Sequence, residues 1–198
     1  MRADLYTTKE NGQLENKIFL FKRDDGEENQ VLNIYEDVSY QMLESFGGAI
    51  TDAAGYVFSL MSPGQQDQML EKYFAEDEMR YERVRIHMDS CDFSTRMYEA
   101  DPHESDAELE NFSFADTERY ILPLLEAAER KAGKKLKIML SAWSPPAYMK
   151  TNGKRKKGGS LKPEYRERWA EYLCRYIGEF KKRGFLVERM SVQNEPKA

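Results

Sequence analysis

Residues 186–196 read LVERMSVQNEP. The run up to Gln193 is short and apolar in the manner of a β-strand, and it follows Gly184, which closes a helical pattern. The strand delivers Asn194 and Glu195 at its C-terminal end, ahead of Pro196. An amide and a carboxylate placed where a strand runs out are poor core residues and good site residues. The decisive question is whether the rest of the chain puts other such residues at equivalent places.

Reading backward, the same strand–helix grammar recurs. Residues 163–184, PEYRERWAEYLCRYIGEFKKRG, form a helical pattern whose Trp169, Leu173, Tyr176, Ile177 and Phe180 share one face. The strand KLKIMLSA (135–142) precedes it. Residues 115–133, ADTERYILPLLEAAERKAG, read as a helix with Asp116 as a candidate cap, after the strand YERVRIHM (81–88) with Val84, Ile86 and Met88 alternating. Residues 62–75, SPGQQDQMLEKYFA, open with a cap at Ser62, Pro63 at the first helical position and Gln65 completing a capping box. Before them QMLESFGGAITDA (41–53) is expected to begin as a strand and break at Gly47-Gly48. Four strand–helix units in succession imply a parallel sheet. The first forty residues instead read as β-structure, a hairpin of NKIFLFKR (16–23) and VLNIYED (31–37) turning through DDGEEN (24–29). The expected division is residues 1–41 as N-terminal strands and 42–198 as the α/β unit.

Composition narrows the function. The 198 residues carry a net charge of −5, with 12% aromatic and 40% hydrophobic residues, a pI near 5.3 and a mean hydropathy of −0.78. An acidic chain lacks the basic face that nucleic acid or an anionic membrane requires. The local exception is KTNGKRKKGG (150–159), a basic tract with no interleaved aromatics that reads as a solvated loop. Cys91 and Cys174 are far apart, without metal-ligand spacing, and read as free thiols. The start MRADLYTTKENG has no apolar signal core, and no run of eighteen apolar residues occurs, so no membrane span and a cytoplasmic location are expected.

The chemistry-bearing residues fall at corresponding positions. Gly47 and Gly48 follow the first strand, Asp89 and Asp92 the second, Trp143 the third, and Asn194 and Glu195 the fourth. In a (β/α)₈ barrel the C-terminal strand ends make one rim, and the rim carries the active site. FGGAITDAAG (46–55) has neither the spacing of a dinucleotide fingerprint nor a P-loop lysine. Carboxylates beside an amide and an indole suit a sugar instead: hydroxyls take polar partners and a pyranose face packs on an aromatic ring. No cofactor or metal is expected.

The segments ESFGGAITDAA (44–54), RVRIHMDSCDFS (83–94), KIMLSAWSPPAYMKTNG (137–153), GGSLKPEYRERWAEYL (158–173) and MSVQNEP (190–196), in this order, resemble the signature segments of glycoside hydrolase family 30. That resemblance implies the first four strand–helix units of a (β/α)₈ TIM barrel, with the N-terminal strands joining a side β-domain. It implies a retaining β-glycosidase acting on the β-glucosidic bonds of glucosylceramide-like or β-glucan substrates, with β-xylosidase action and a non-catalytic sugar-binding half-barrel left open. By similarity Glu195 is the general acid/base and Asn194 contacts the sugar 2-hydroxyl. Arg85 lies beneath the nucleophile, and Asp92 and Trp143 hydrogen-bond the glycone. Each has a plainer reading: Arg85 as a barrel-interior ion pair, Trp143 and Phe93 as packing, Asp92 as a loop cap, His87 as a structural histidine. The family's nucleophile comes from strand seven, so it is expected to lie outside this chain. Unpaired sheet edges and apolar interior side chains left in water would then favour self-association.

Overall fold

The structure, a computed structural model, describes residues 2–23, 26 and 35–196. It divides into two compact units, Met1–Met42 and Leu43–Ala198.

In the first unit, β1 (Arg2–Thr8) pairs antiparallel with β2 (Leu14–Leu20), Arg2 opposite Leu20 and Thr8 opposite Leu14. The run at 16–23 therefore pairs with the residues before it. The expected partner run, Val31 to Ile34, lies outside the described residues, and of its remainder Glu36 and Asp37 lie in a turn. Asn11-Gly12 is the stronger turn signal, because glycine takes the left-handed backbone at no steric cost. Gly12 has φ +76°, and the Asn11 side chain accepts from Gln13 N at 3.1 Å.

In the second unit, β3 (Gly47–Ala49), β4 (Arg83–Met88), β5 (Lys137–Ala142) and β6 (Leu186–Ser191) form one sheet in that order, every neighbouring pair parallel. Helices α1 (Asp52–Leu60) and α2 (Pro63–Phe74) connect β3 to β4, α3 (Ala115–Ala132) connects β4 to β5, and α4 (Arg166–Lys182) connects β5 to β6. No helix among the described residues is long and apolar enough to cross a membrane.

Four local readings change. The glycines do not end the first strand; they are the strand. A Cβ on Gly47 would lie 2.1 Å from the Arg83 carbonyl oxygen, so only glycine lets β3 approach β4 there. Helix α1 has no counterpart in the sequence reading; Thr51 caps it by accepting from Ala54 N. Asp116 is not the cap of α3, which begins after Phe114; it lies in the first turn, where its charge complements the helix dipole and pairs with Arg96. Phe93 is 61% exposed and is not a packing residue. The capping box at Ser62 and Gln65 forms as expected.

The core lies between the sheet and the helices. Val84, Ile86 and Met88 of β4 and Ile138, Leu140 and Ala142 of β5 join Ile121 and Leu125 of α3 and Tyr172, Tyr176 and Phe180 of α4 in one buried cluster. Alternate residues of the strands face the other way, and that face is not the apolar surface expected of it. Glu188 pairs with Arg83 and lies 3.6 Å from Lys137, while Arg85 donates to Ser141 Oγ at 2.8 Å. Period-two alternation places one set of residues on the core side and leaves a charged layer on the concave side.

Candidate active site

The loops leaving the C-terminal ends of β4, β5 and β6 converge on a cleft of about 610 Å³ whose lining includes Asp92, Trp143, Asn194 and Glu195. Four of the five residues singled out from sequence thus share one cavity. The fifth, Arg85, lies on β4 below them. Its Nη2 donates to Asn194 Oδ1 at 2.7 Å, and its guanidinium carbon lies 4.7 Å from the centre of the Trp143 ring. Arg85 forms no ion pair among the described residues, so its charge is directed at the site rather than used up in the barrel interior.

The Asn194–Glu195 segment is stitched to the end of β5. Asn194 N donates to Ala142 O at 2.7 Å, and Gln193 Nε2 donates to both Trp143 O and Asn194 O at 2.8 Å. Glu195 has φ +46°, a left-handed backbone uncommon for a non-glycine residue. Its side chain is exposed to the cleft and, like that of Asp92, makes no hydrogen bond or ion pair among the described residues. Asp92 is therefore not a loop cap. Trp143 Nε1 is buried without a hydrogen-bond partner among the described residues. A buried indole N–H in that state is a donor without an acceptor, a costly arrangement.

Beneath the cleft a buried polar network fixes the loop that carries Asp92. His87 Nε2 accepts from Asp52 N at 3.0 Å, and Nδ1 donates to Asp89 O at 2.5 Å, so the ring is held as the neutral Nδ1–H form. Burial pushes its pKa below the ordinary value, with protonation of the ring opposed also by Arg155 and Arg85. Asp89, fully buried and at φ +55°, accepts from Ala100 N at 2.9 Å and from Tyr172 Oη at 2.8 Å. Burial raises its carboxyl above the usual range, against the lowering pull of Arg155, 3.8 Å away. Of the aspartates after β4, Asp89 is thus structural and Asp92 is presented to the cleft.

The basic tract 150–159 is not simply a solvated loop. Lys150 and Arg155 within it are buried, and Arg155 donates to Ser90 O, Ser144 O and Tyr98 O. Sequence reading missed Arg155 because a cation in a cationic run carries no signal of burial. Ser141 and Gln193 were also missed. Ser141 was open to inference, since it is two residues before Trp143 and on the same face of β5 as the layer containing Arg85. No group of His, Cys, Asp and Glu side chains among the described residues could hold a metal ion. Cys91 and Cys174 are free thiols, and burial raises the Cys91 pKa above the ordinary thiol value.

The profile of the glycosyl hydrolase family 30 TIM-barrel domain matches residues 43–198. The lysosomal acid glucosylceramidase of Mus musculus is 31% identical, over 85% of this chain and 34% of its own length. Among solved structures, SrfJ from Salmonella typhimurium superposes with a TM-score of 0.85 at 33% identity, over 100% of this chain and 45% of its own. The endo-β1,6-glucanase BT3312 superposes with a TM-score of 0.71 at 28% identity, over 80% of this chain and 36% of its own. The chain spans about a third of the length of the curated relatives it matches.

Proposed function

The chain belongs to glycosyl hydrolase family 30, and from that premise we propose that it carries the acid/base side of a retaining β-glycosidase site whose substrate is a β-glucoside. Glu195 is the general acid/base. It protonates the oxygen of the departing group, then takes a proton from the water that releases the sugar. Asn194, held by Arg85, bonds the sugar 2-hydroxyl, while Asp92 and the Trp143 indole N–H bond hydroxyls further round the ring. The nucleophile, which a retaining mechanism needs about 5–5.5 Å from the acid, is supplied by a segment outside these 198 residues. The observation that carries the reading is the single cleft shared by Asp92, Trp143, Asn194 and Glu195, with an exposed carboxylate beside an unsatisfied indole donor.

The test is Glu195→Gln in a protein with the complete barrel. Turnover of alkyl β-glucosides should fall by roughly 10²–10⁴, the usual worth of a positioned proton donor. Aryl glucosides with good leaving groups need less protonation and should lose less in the glycosylation step. Unchanged turnover of the alkyl substrates would refute the assignment.

A further inference from the structure

The tract KTNGKRKKGG (150–159) is conspicuous in a chain of net charge −5, and no acidic residue occurs between positions 147 and 163. The fold does not let it project idly into solvent. Its residues form one wall of the cleft that holds Asp92, Trp143 and Glu195, and Lys156 and Lys157 are among the lining residues.

That wall is fixed from inside. The Arg155 side chain is only 4% exposed and is anchored on backbone carbonyls beneath the cleft, with Lys150 Nζ donating to Arg155 O at 3.3 Å. The Asn152 amide donates to the carbonyls of Lys156, Lys157 and Gly158 at 3.3, 3.2 and 2.9 Å, and its Oδ1 accepts from Lys154 N at 3.1 Å. Gly159, at φ +83°, has no room for a Cβ, which would fall 2.6 Å from the Asn152 side chain. A loop that merely needs to be soluble requires none of these constraints. Their combined effect is to display Lys156 and Lys157 at a set position, exposed and without an ion pair among the described residues. By contrast Lys131, Lys134 and Lys135 each have a carboxylate oxygen within 2.8 Å. Lys156 and Lys157, with Lys150 and Arg155, outnumber Asp92 and Glu195 among the charged residues lining the cleft, which makes a local positive field opposite in sign to the molecule as a whole.

We propose that Lys156 and Lys157 select β-glycosides that carry a carboxylate or similar anionic group on the part of the substrate held against this wall. The inference rests on the glycosidase reading of the cleft and adds an anionic substituent to its substrate class. Exposed lysines at hydrogen-bonding or one-water distance from an anion favour it by about three- to tenfold together at low ionic strength, and the preference falls as salt screens it.

The experiment compares 4-methylumbelliferyl β-glucoside with its 3-carboxyumbelliferyl counterpart, using the protein with the complete barrel and its Lys156→Gln/Lys157→Gln variant. The quantity read is the ratio of kcat/KM for the anionic probe to that for the neutral one. Comparing this ratio between the two proteins cancels the difference in leaving group and any effect common to both probes. The ratio is expected to be about three- to tenfold lower in the variant at low ionic strength, with the two proteins converging at high salt. The same ratio in both proteins, alongside normal turnover of the neutral probe, overturns the anionic selection and leaves the glycosidase reading standing. Absence of turnover on either probe overturns both. A lysine effect that appears only with anionic lipid vesicles, while the soluble ratio is unchanged, also overturns the proposal and reassigns the wall to a membrane surface.

Discussion

Replacing Tyr172 by phenylalanine removes one oxygen and nothing else, and that oxygen is at the centre of the network under the Asp92 loop. The ring is fully buried. Its hydroxyl donates to the Asp89 carboxylate at 2.8 Å and accepts from Ala100 N at 2.8 Å and Asp101 N at 3.2 Å. Ala100 N keeps a partner in the Tyr172→Phe protein, since it also donates to Asp89 Oδ1 at 2.9 Å. Asp101 N and Asp89 Oδ2 lose theirs. Two buried polar groups left without a hydrogen bond cost about 1–3 kcal/mol each, so the substitution should cost about 2–6 kcal/mol in all, toward the lower end because Arg155 remains 3.8 Å from Asp89 Oδ2. At about 2–4 °C per kcal/mol for a chain of this size, the thermal midpoint should fall by about 4–24 °C. The loss should depend on pH. Burial already holds the Asp89 carboxyl above its ordinary value, and the Tyr172 hydroxyl is one of the groups restraining that rise. Without it the folded-state value climbs further. A carboxylate whose folded pKa is raised binds more protons folded than unfolded, so its contribution falls as pH rises through that window. The deficit of Tyr172→Phe should therefore be smaller at about pH 5 than at about pH 8. Calorimetry on both proteins at the two pH values decides the matter. A midpoint shift under about 2 °C, or a deficit larger at the acid pH, would refute this account of the network.

His87 makes the opposite pH prediction. Burial depresses its pKa from 6.5 and Nε2 is occupied by the Asp52 N–H. The His87 contribution to stability should be level above about pH 6.5 and fall below it, by up to about 1.4 kcal/mol per pH unit, as denaturant titrations of the protein against its His87→Gln variant would show. Gly47→Ala should cost about 2–4 kcal/mol, because the new methyl meets the Arg83 carbonyl at 2.1 Å and must force β3 from β4; an unshifted urea midpoint would contradict the close approach. The 198-residue chain by itself should form no covalent adduct with a mechanism-based fluoroglucoside, as mass spectrometry would report, because a lone acid cannot make the glycosyl-enzyme bond.

The legible parts of this molecule were those written in short-range periodicity. The strand at 83–88 and the helix at 166–182 declared themselves because their apolar residues repeat at the spacing their backbones impose. Asp92, Trp143, Asn194 and Glu195 stood out because strand ends are where a parallel barrel puts its chemistry, whereas Arg85, inside β4, was named only through the family resemblance. What failed had a longer-range or a competing cause. The glycine strand at 47–49 is dictated by the Arg83 carbonyl, far along the chain, which no local pattern records. The hairpin of β1 and β2 was passed over because two aromatic-containing runs further along outweighed the Asn11-Gly12 turn. The burial of Arg155 depends on acceptors at Ser90, Tyr98 and Ser144, brought together only by the fold.

The order of the sheet bears on how the molecule comes into being. Each strand lies beside the one made just before it, β3 then β4, β5 and β6, with a helix or helices closing each step. No strand of this sheet waits for a neighbour within it that is synthesised much later, so the ordering entropy of each addition is limited to one connecting segment. A nascent chain leaving the ribosome can therefore lay down this sheet unit by unit, keeping a single growing edge. The opening edge, only three residues long, offers little for a stray chain to pair with.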